Sequence, residues 1–556
     1  MKSSKTLLAL ISFVLPSALQ AATEIEPLRF LAIQDGGRTK PLDTFAREAA
    51  RRLTGARAFG AESVNGLHPV EWLLSLRADP ARWEDVAFIR VTHAGLRNAA
   101  GLAGDRDRYS YRELLAHEPF MKAVEAVHAK LRADREAPID PVERELVELY
   151  DNLALMHGIA TGEALHVIPH PTDPEAAWFS LADVQSAPVP DVQRVDALVM
   201  ALIGAYRSGD HGSTEAAASA LRRRLAQMAP GVYPSERALG IEVRYNRLKP
   251  FRLAWFLYLL GFLVVLASFP LASRTAALAG LGLVVAGFLA HSWGMLLRMQ
   301  ITGRPPVTNM YESVVFVAWG AMLFALIFEA VYRSRYFLAA ASAVSTICLI
   351  LADNVPILDG SITPLVPVLR HNMWLTIHVL TITLGYAAFT LAMGLGHVVL
   401  GLHFLAPAKA ALQKTLSLFL YRAIQVGTLF LAVGTLLGGV WASYSWGRFW
   451  GWDPKETWAL IATLGYLAIL HARLLGWVKD FGVAVGSLLG YLLVLMAWYG
   501  VNFVLGTGLH SYGFGSGGYA WVGGFVAFET AIIVAAMLGR RAEQARQRLD
   551  LSTAAS

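Results

Sequence analysis

The second half of this chain contains nine apolar segments that are each long enough to cross a lipid bilayer. A helix needs about 20 apolar residues to span the hydrocarbon core, where every backbone polar group must find its hydrogen bond within the helix. Such segments exclude an ordinary soluble fold for this part of the chain. They lie at residues 251–270, 275–297, 312–332, 336–352, 373–405, 420–442, 457–477, 481–505 and 519–538.

The residues before Pro250 have a different composition. Of the 42 Asp and Glu residues, 32 lie before residue 251, as do 30 of the 48 Lys and Arg residues. We therefore predict an α-helical polytopic membrane protein with about nine transmembrane helices (residues 250–556), preceded by a mostly helical periplasmic domain (residues 23–249). The basic excess lies in the membrane part and follows from topology, so we predict contact with membrane lipid and no nucleic-acid partner.

The first 22 residues have the pattern of a signal peptide. Lys2 and Lys5 precede an apolar run from Leu7 to Leu15, and a stretch of small residues ends at Ala22. The run is short for a membrane span, and an uncleaved N-terminal anchor is the alternative. Either interpretation directs residues 23–249 to the periplasm and places the protein in a bacterial inner membrane.

The exported part has helical patterns but no spacing typical of a metal site or a nucleophile. Amphipathic stretches at Pro141–His157 and Thr214–Met228 predict helices. The pair Gly36-Gly37 predicts a turn. Eight histidines up to His211 are scattered along this part, and we predict that they are surface or helix-capping residues.

Positive charges in the loops predict the orientation of the membrane helices. If the first helix enters from the periplasm, the connections that face the cytoplasm carry most of the basic residues, in agreement with the positive-inside rule. These residues are Arg274, Arg333, Arg335, Lys409, Lys414, Arg473, Lys479, Arg540, Arg541, Arg546 and Arg548. The same topology places residues 441–458 on the periplasmic side.

Residues 441–458, WASYSWGRFWGWDPKETW, form a tryptophan-rich segment with five of the fifteen tryptophans. A few aromatic rings at a membrane interface are ordinary, because such rings settle at the level of the lipid headgroups. Here glycines and charged residues interrupt the rings, which is unusual for an interfacial belt. The composition favours a binding surface for a large, flat, partly anionic ligand.

Two histidines flank the tryptophan-rich segment in the sequence and fall on the same predicted side of the membrane. His378 lies near the start of the fifth helix, and His510 lies in a glycine-rich loop. Each histidine alone could cap a helix or extend towards the interface. Two neutral imidazoles on opposite faces of a planar ligand are, however, one way to ligate haem iron. Candidate partners for the haem propionates are Arg448, Lys455, Arg304 and Arg370.

Two strings carry a resemblance to a known family. The sequence WGRFWGWDPKE, from Trp446 to Glu456, closely resembles the WWD motif of haem-handling proteins. The sequence GRPPVTNMYE, from Gly303 to Glu312, resembles the string that follows the second helix in one group of them. From about Phe251 to its C-terminus, the chain resembles the CcsA (ResC) subunit of the System II cytochrome c synthase.

This resemblance implies roles for individual residues. His378 and His510 match two periplasmic histidines that act in catalysis as axial ligands, with haem b as both substrate and bound ligand. His471 matches an intramembrane histidine that binds haem on its way across the membrane, although a solvated histidine beside Arg473 is the alternative. Other residues implied in haem binding are Trp446, Arg448, Trp450, Trp452 and Asp453. Asp453 and Glu456 could equally orient the loop, cap the next helix or pair with Arg448.

The resemblance leaves the intramembrane partner of His471 unassigned. In fused family members a CcsB (ResB) part with its own membrane helices supplies that histidine, and this N-terminal part has no such helices. Either a separate CcsB-type subunit supplies the partner, or a histidine such as His291 or His397 replaces it.

The resemblance implies a cytochrome c haem lyase that joins haem vinyl groups to the thiols of a Cys-x-x-Cys-His segment in apocytochrome c. The thiols must come from the substrate, because Cys348 is the only cysteine. A thioredoxin-like protein would keep them reduced. The alternatives are a WWD-type haem transporter or chaperone that makes no thioether bond, and a quinone-linked cytochrome b. The last is disfavoured because it would need paired histidines on the same helices.

Overall fold

The computed structural model describes residues 25–55, 63–102, 106–135, 137–184, 192–355, 358–365, 372–505 and 518–555. The chain divides into two compact units, Met1–Asn246 and Arg247–Ser556, called here the N-terminal unit and the membrane unit. The predicted signal peptide, residues 1–22, lies outside the described residues.

Helices dominate the N-terminal unit, as the sequence predicts. The helices are α1 (Glu26–Arg29), α2 (Leu42–Thr54), α3 (Pro69–Ala78), α4 (Pro80–Glu84), α5 (Ala94–Ala99), α6 (Tyr111–Ala116), α7 (Glu118–Ala133), α8 (Pro141–Thr161), α9 (Val192–Arg207), α10 (His211–Met228) and α11 (Glu236–Leu248). Two small antiparallel pairs join β1 (Ala32–Asp35) to β2 (Arg38–Pro41) and β3 (Ile89–Arg90) to β4 (Arg108–Tyr109).

Local sequence explains where these elements begin and turn. Asp140 caps α8 through a capping box with Glu143, and Gly162 ends the helix in the left-handed conformation at φ 93°. The predicted helix at Pro141–His157 is thus confirmed and extends to Thr161. Gly36 and Gly37, both with positive φ, form the two-residue turn between β1 and β2, because a tight hairpin turn needs left-handed backbone at both positions.

Histidines cap several helices of the N-terminal unit, which confirms one of the two roles predicted for them. The side chain of His93 accepts a hydrogen bond from Leu96 N at 3.0 Å. His68 and His117 cap α3 and α7 in the same way. These imidazoles supply acceptors for amides that would otherwise lack a partner in the first helical turn.

A buried charge network joins the start of α2 to α11. Asp43 is fully buried and accepts hydrogen bonds from Arg29 Nε at 3.0 Å, Arg47 Nε at 2.9 Å and Asn246 Nδ2 at 3.0 Å. Arg38, from the hairpin, forms two hydrogen bonds with Glu242. The string around Gly36-Gly37 is therefore structural: it ties the hairpin and α2 to the last helix of this unit.

We expect Asp43→Asn to lower the free energy of local unfolding of this unit by about 3–5 kcal/mol, because two buried guanidinium groups lose their carboxylate. Burial alone would raise the pKa of Asp43, but Arg47 and Arg29 outweigh it and lower that pKa. The stabilisation is therefore present at neutral pH and is lost as the pH falls below the ordinary value of 3.8 towards the lowered pKa. Hydrogen exchange of the α2 amides in the full-length protein measures the effect.

The matched control is Asp107→Asn, which removes the carboxylate of an exposed ion pair with Arg90. Exposed ion pairs contribute little to stability. Hydrogen exchange of the α2 amides in the Asp107→Asn variant should therefore stay near that of the wild type. Equal protection in the Asp43→Asn variant and the wild type would contradict the structural role of the network.

The membrane unit consists mainly of long apolar helices, together with a few short helical segments. They are α12 (Pro250–Ser268), α13 (Arg274–Thr302), α14 (Met310–Tyr332), α15 (Tyr336–Asn354), α16 (Asn372–Trp374), α17 (Leu380–Leu405), α18 (Ala410–Trp446), α19 (Pro454–Leu474), α20 (Asp480–Leu495) and α21 (Tyr519–Ala555), with π-helical segments π1 (Leu375–Val379) and π2 (Met496–Leu505). Nine helical stretches among the described residues are long and apolar enough to cross a membrane, which confirms the predicted fold class.

A buried ion pair anchors the GRPPVTNMYE string. Arg298 Nε lies 2.6 Å from Glu312 Oε1, and both side chains are 1% exposed. The same guanidinium donates to the carbonyls of Gly360 and Ser361. Asn309 caps α14. Arg298 therefore holds Gly360 and Ser361, which precede His378 in the chain, close to the end of α13 and the start of α14.

Candidate functional site

His378 lies in π1, a single wide turn at the start of the fifth membrane stretch. Its Nδ1 lies 2.8 Å from the carbonyl oxygen of Gly434 in α18. A carbonyl can only accept, so Nδ1 must carry the hydrogen. In the neutral ring, Nε2 is then the unprotonated nitrogen, and this is the form of histidine that binds a metal.

The backbone of α18 makes room for this ring. A methyl group added at Gly438 would lie 2.7 Å from Cε1 of His378. The ring of Trp441 stands edge-on to the imidazole, with centroids 5.7 Å apart. Because α18 continues directly to Trp446, the helix that fixes His378 also carries the first part of the tryptophan-rich segment.

Helix α18 ends and helix α19 begins at a well-formed cap. The two helices contain the two ends of the tryptophan-rich segment. Gly447, with φ 69°, ends α18 in the left-handed conformation. Asp453 caps α19 and forms a capping box with Glu456, and Pro454 occupies the first turn. These caps fix both ends of the short connection between α18 and α19.

The buried carboxylate of Glu456 binds backbone amides of this connection. It accepts hydrogen bonds from Gly451 N at 2.7 Å and Asp453 N at 3.2 Å, and Arg448 lies 3.5 Å from its other oxygen. Asp453 and Glu456 are 6% and 8% exposed. The capping, orienting and Arg448-pairing roles considered for the two acids are all present. The predicted contacts of Asp453 and Arg448 with haem stay predictions.

Aromatic side chains extend outwards from this frame. Trp450 and Trp452 are perpendicular, with centroids 5.9 Å apart, and Trp452 is 69% exposed with φ 57°. Phe449 packs over Gly439 and Arg448 lies over the ring of Trp446. A strained backbone that holds an exposed indole is a feature of binding surfaces more than of packing.

Two of the candidate partners for the haem propionates, Lys455 and Arg304, form hydrogen bonds within the protein. Lys455 Nζ lies 3.3 Å from Asn502 Oδ1 in π2, which links α19 to the segment that precedes His510. Arg304 donates to the carbonyl of Thr363 at 2.6 Å. Arg370 and His510 lie outside the described residues, so the pairing of His378 with His510 stays a prediction.

The other histidines considered for haem differ in their surroundings. His471 is exposed in the last turn of α19, and its Nδ1 donates to Leu467 O at 2.7 Å. His291 is fully buried against Tyr258 and Phe251. His397 Nε2 lies 3.2 Å from Glu529. Of these three, His471 is the exposed one, whereas His291 and His397 would have to leave existing contacts to bind a metal.

Gly434, Gly438 and the two π-helical segments were not predicted from the sequence. The string Gly434-Thr-Leu-Leu-Gly438-Gly439 contained a usable signal, because glycines four residues apart mark a helix face that another element approaches closely. The π-helical turns had no such signal. Segments of this kind occur often at functional sites, and π1 and π2 contain His378 and Asn502.

The sequence of this chain is similar to those of several known proteins. The family model described as Cytochrome C assembly protein matches residues 307–510. The protein NrfI of Wolinella succinogenes is 32% identical over 502 residues, which are 86% of this chain and 53% of NrfI. The chain thus spans about half the length of NrfI. The match is longer than the membrane unit and includes much of the N-terminal unit.

Shorter relatives match the membrane part over nearly their whole length. The cytochrome c biogenesis protein CcsA of Synechococcus sp. (strain CC9605) is 35% identical over 301 residues, which are 48% of this chain and 98% of CcsA. A solved structure, the cytochrome c heme lyase CcmF, matches with 17% identity and a TM-score of 0.36 over 52% of this chain and 50% of that chain, too loosely to inform the fold. The chain is a multi-pass membrane protein and belongs to the CcsA family of cytochrome c biogenesis proteins.

Proposed function

We propose that this protein is a cytochrome c haem lyase that holds haem b at the tryptophan-rich segment and presents it to apocytochrome c. His378 and His510 serve as the axial ligands, and Trp446, Trp450 and Trp452 contact the macrocycle. This end of the membrane unit faces the periplasm of a bacterial inner membrane, in accordance with the charge distribution of the loops.

The observation that carries the proposal is the hydrogen bond from His378 Nδ1 to Gly434 O. It fixes the ring orientation and leaves Nε2 as the metal-binding atom, next to a segment with exposed aromatic side chains. Metal-binding histidines commonly donate their other ring hydrogen to a carbonyl or a carboxylate in this way. A histidine that merely caps a helix would instead use its side chain as an acceptor for an amide, as His93 does.

The reaction needs positioning more than acid–base chemistry. Each thiol of the substrate adds across a haem vinyl group: the sulfur–carbon bond forms, and the thiol hydrogen passes to the neighbouring vinyl carbon, with no net oxidation. The protein supplies no thiol of its own, because Cys348 is its only cysteine and lies within the membrane helix α15. Holding the two reactants in place can contribute on the order of 7–11 kcal/mol.

The proposed function involves two partner proteins. A CcsB-type subunit supplies the second intramembrane histidine beside His471, whose exposed position on α19 supports a ligand site shared with another chain. A thioredoxin-like protein reduces the substrate thiols.

The test is co-expression with an apocytochrome c, with and without a CcsB-type subunit, in cells that lack their own maturation system. We expect covalent haem on the cytochrome when both subunits are present. Protein that carries haem but never yields covalent product under either condition would instead establish a haem transporter or chaperone.

We expect His471→Ala to reduce the haem that co-purifies with the protein by about 10- to 100-fold, the range typical of a weakened metal site. The expectation applies to the complex with its CcsB-type subunit, and the measurement is haem per protein from the absorbance of the purified sample. A matched control is Arg473→Ala, which removes the pairing with Asp480 at the same helix end and should leave haem content unchanged. Unchanged haem in His471→Ala would identify His471 as a solvated histidine.

A further inference from the structure

Inside the membrane unit, away from the tryptophan-rich segment, the imidazole of His397 lies next to the carboxylate of Glu529. His397 lies on α17 and Glu529 on α21, and His397 Nε2 is 3.2 Å from Glu529 Oε2. The Glu529 side chain is 2% exposed and that of His397 is 29% exposed. A carboxylate without a counter-charge is costly at such a position in a membrane helix.

The hydrogen bonds of His397 determine how many protons this pair contains. Nδ1 lies 2.9 Å from the carbonyl oxygen of Met393, so it must carry a hydrogen. If the ring were neutral and Glu529 ionised, a lone pair on Nε2 would face a negatively charged oxygen. Neither atom has a hydrogen-bond partner among the described residues, and both are shielded from solvent, although they lie 3.2 Å apart. The contact is favourable only when a proton lies between them.

We propose that His397 and Glu529 form a proton-binding site that holds one proton within the membrane, shared between Nε2 and Oε2. Whether the proton is closer to nitrogen or to oxygen, the pair as a whole is uncharged. This neutrality allows α21 to pack against α17 without an isolated charge. Loss of the proton would place a bare carboxylate next to a lone pair and weaken the attachment of α21.

Among the described residues, no cationic side chain other than His397 forms an ion pair with Glu529. Tyr491 of α20 is close enough to interact electrostatically with Glu529 and with Cys348 of α15, and its hydroxyl accepts a hydrogen bond from Thr390. Phenol and thiol groups are ordinarily uncharged at neutral pH. Among the described residues near Glu529, the imidazole of His397 is therefore the group that can take up a positive charge.

A second pair between the same two helices provides a contrast. His403 Nε2 lies 3.1 Å from Glu543 Oε2, but Arg540 lies 3.2 Å from the same carboxylate oxygen. The guanidinium supplies the counter-charge there, and no additional proton is needed. Glu543 is thus the matched control for Glu529.

The experiment measures the protonation state of the full-length protein in lipid nanodiscs at neutral pH. Nitrogen NMR of labelled histidine detects an imidazolium with both ring nitrogens protonated, and infrared spectroscopy detects a protonated buried carboxyl group. We expect the wild type to show one of these two signatures and Glu529→Gln to lack it. The amide introduced by this substitution is similar in size to the carboxylate and can donate to Nε2 of His397, so the packing of the two helices should be preserved.

Glu543→Gln should retain the signature of the wild type, and both variants should keep the elution profile of the folded protein. The proposal is overturned if the wild type shows neither an imidazolium nor a protonated carboxyl group that depends on Glu529. Should Glu529→Gln fail to fold, His397→Gln, with loss of the same signature as the expected result, replaces it.

Discussion

Replacement of His378 by alanine is expected to abolish covalent haem attachment to apocytochrome c. The variant loses the Nε2 atom that the Gly434 carbonyl orients, so the iron loses one of its two proposed ligands. We expect the yield of holocytochrome to fall at least about 100-fold, the upper end of the loss seen when even an outer partner of a metal site is removed. His510→Ala should have an effect of the same size. The measurement is haem staining of the cytochrome after co-expression.

Added imidazole distinguishes a variant that has lost only an iron ligand from a variant that no longer folds. It can occupy the space left by the side chain and coordinate the iron, so it should restore part of the product in His378→Ala. His403→Ala is the control, because His403 lies near the C-terminal end of α17 and contacts Glu543, and the product of this variant should match that of the wild type. Full activity of His378→Ala without imidazole would remove this histidine from the site.

A single methyl group at Gly438 is expected to impair the same reaction without removing any functional atom. The new Cβ would lie 2.7 Å from Cε1 of His378, whereas ordinary contacts begin at 3.4 Å. The ring must therefore move, and its hydrogen bond to Gly434 is lengthened or broken. We expect product to fall by about 10- to 100-fold, since a misplacement of about 1 Å at a reacting centre can have a cost of that order.

Gly401→Ala is the matched control for this substitution. Gly401 lies on α17, and a methyl group there would meet no atom within 4 Å. Alanine is also the better helix former, so product and stability should be at least those of the wild type. If Gly438→Ala retained full activity and the same haem spectrum, the close approach of His378 to α18 would have no functional importance.

Much of the membrane unit could be predicted because local sequence determines it. Nine apolar stretches predict nine membrane helices, since a helix in lipid satisfies its own backbone, and the described part of the chain contains nine helical stretches of spanning length. Asp453, Pro454 and Glu456 predict the start of α19 by their order alone, and the capping box is present in the structure. The likeness of the Trp446–Glu456 string to the WWD motif led to the correct family.

Contacts between distant parts of the chain could not be predicted in this way. His378 meets Gly434, and His397 meets Glu529, only because particular helices pack side by side. The helical pattern of α2 likewise gives no sign that Asp43 is bound by Asn246. Each of these pairings depends on the relative rotation of two helices, and that rotation is set by packing over the whole unit.

In the proposed function, His378 and His510 bind one iron atom from opposite faces of the haem. The most direct measurement is the absorption and electron paramagnetic resonance spectrum of haem that co-purifies with the wild type, His378→Ala and His510→Ala. We expect a low-spin, bis-imidazole spectrum in the wild type that is lost in each variant and regained when imidazole is added. A bis-imidazole spectrum that persists in either variant would contradict the proposed function.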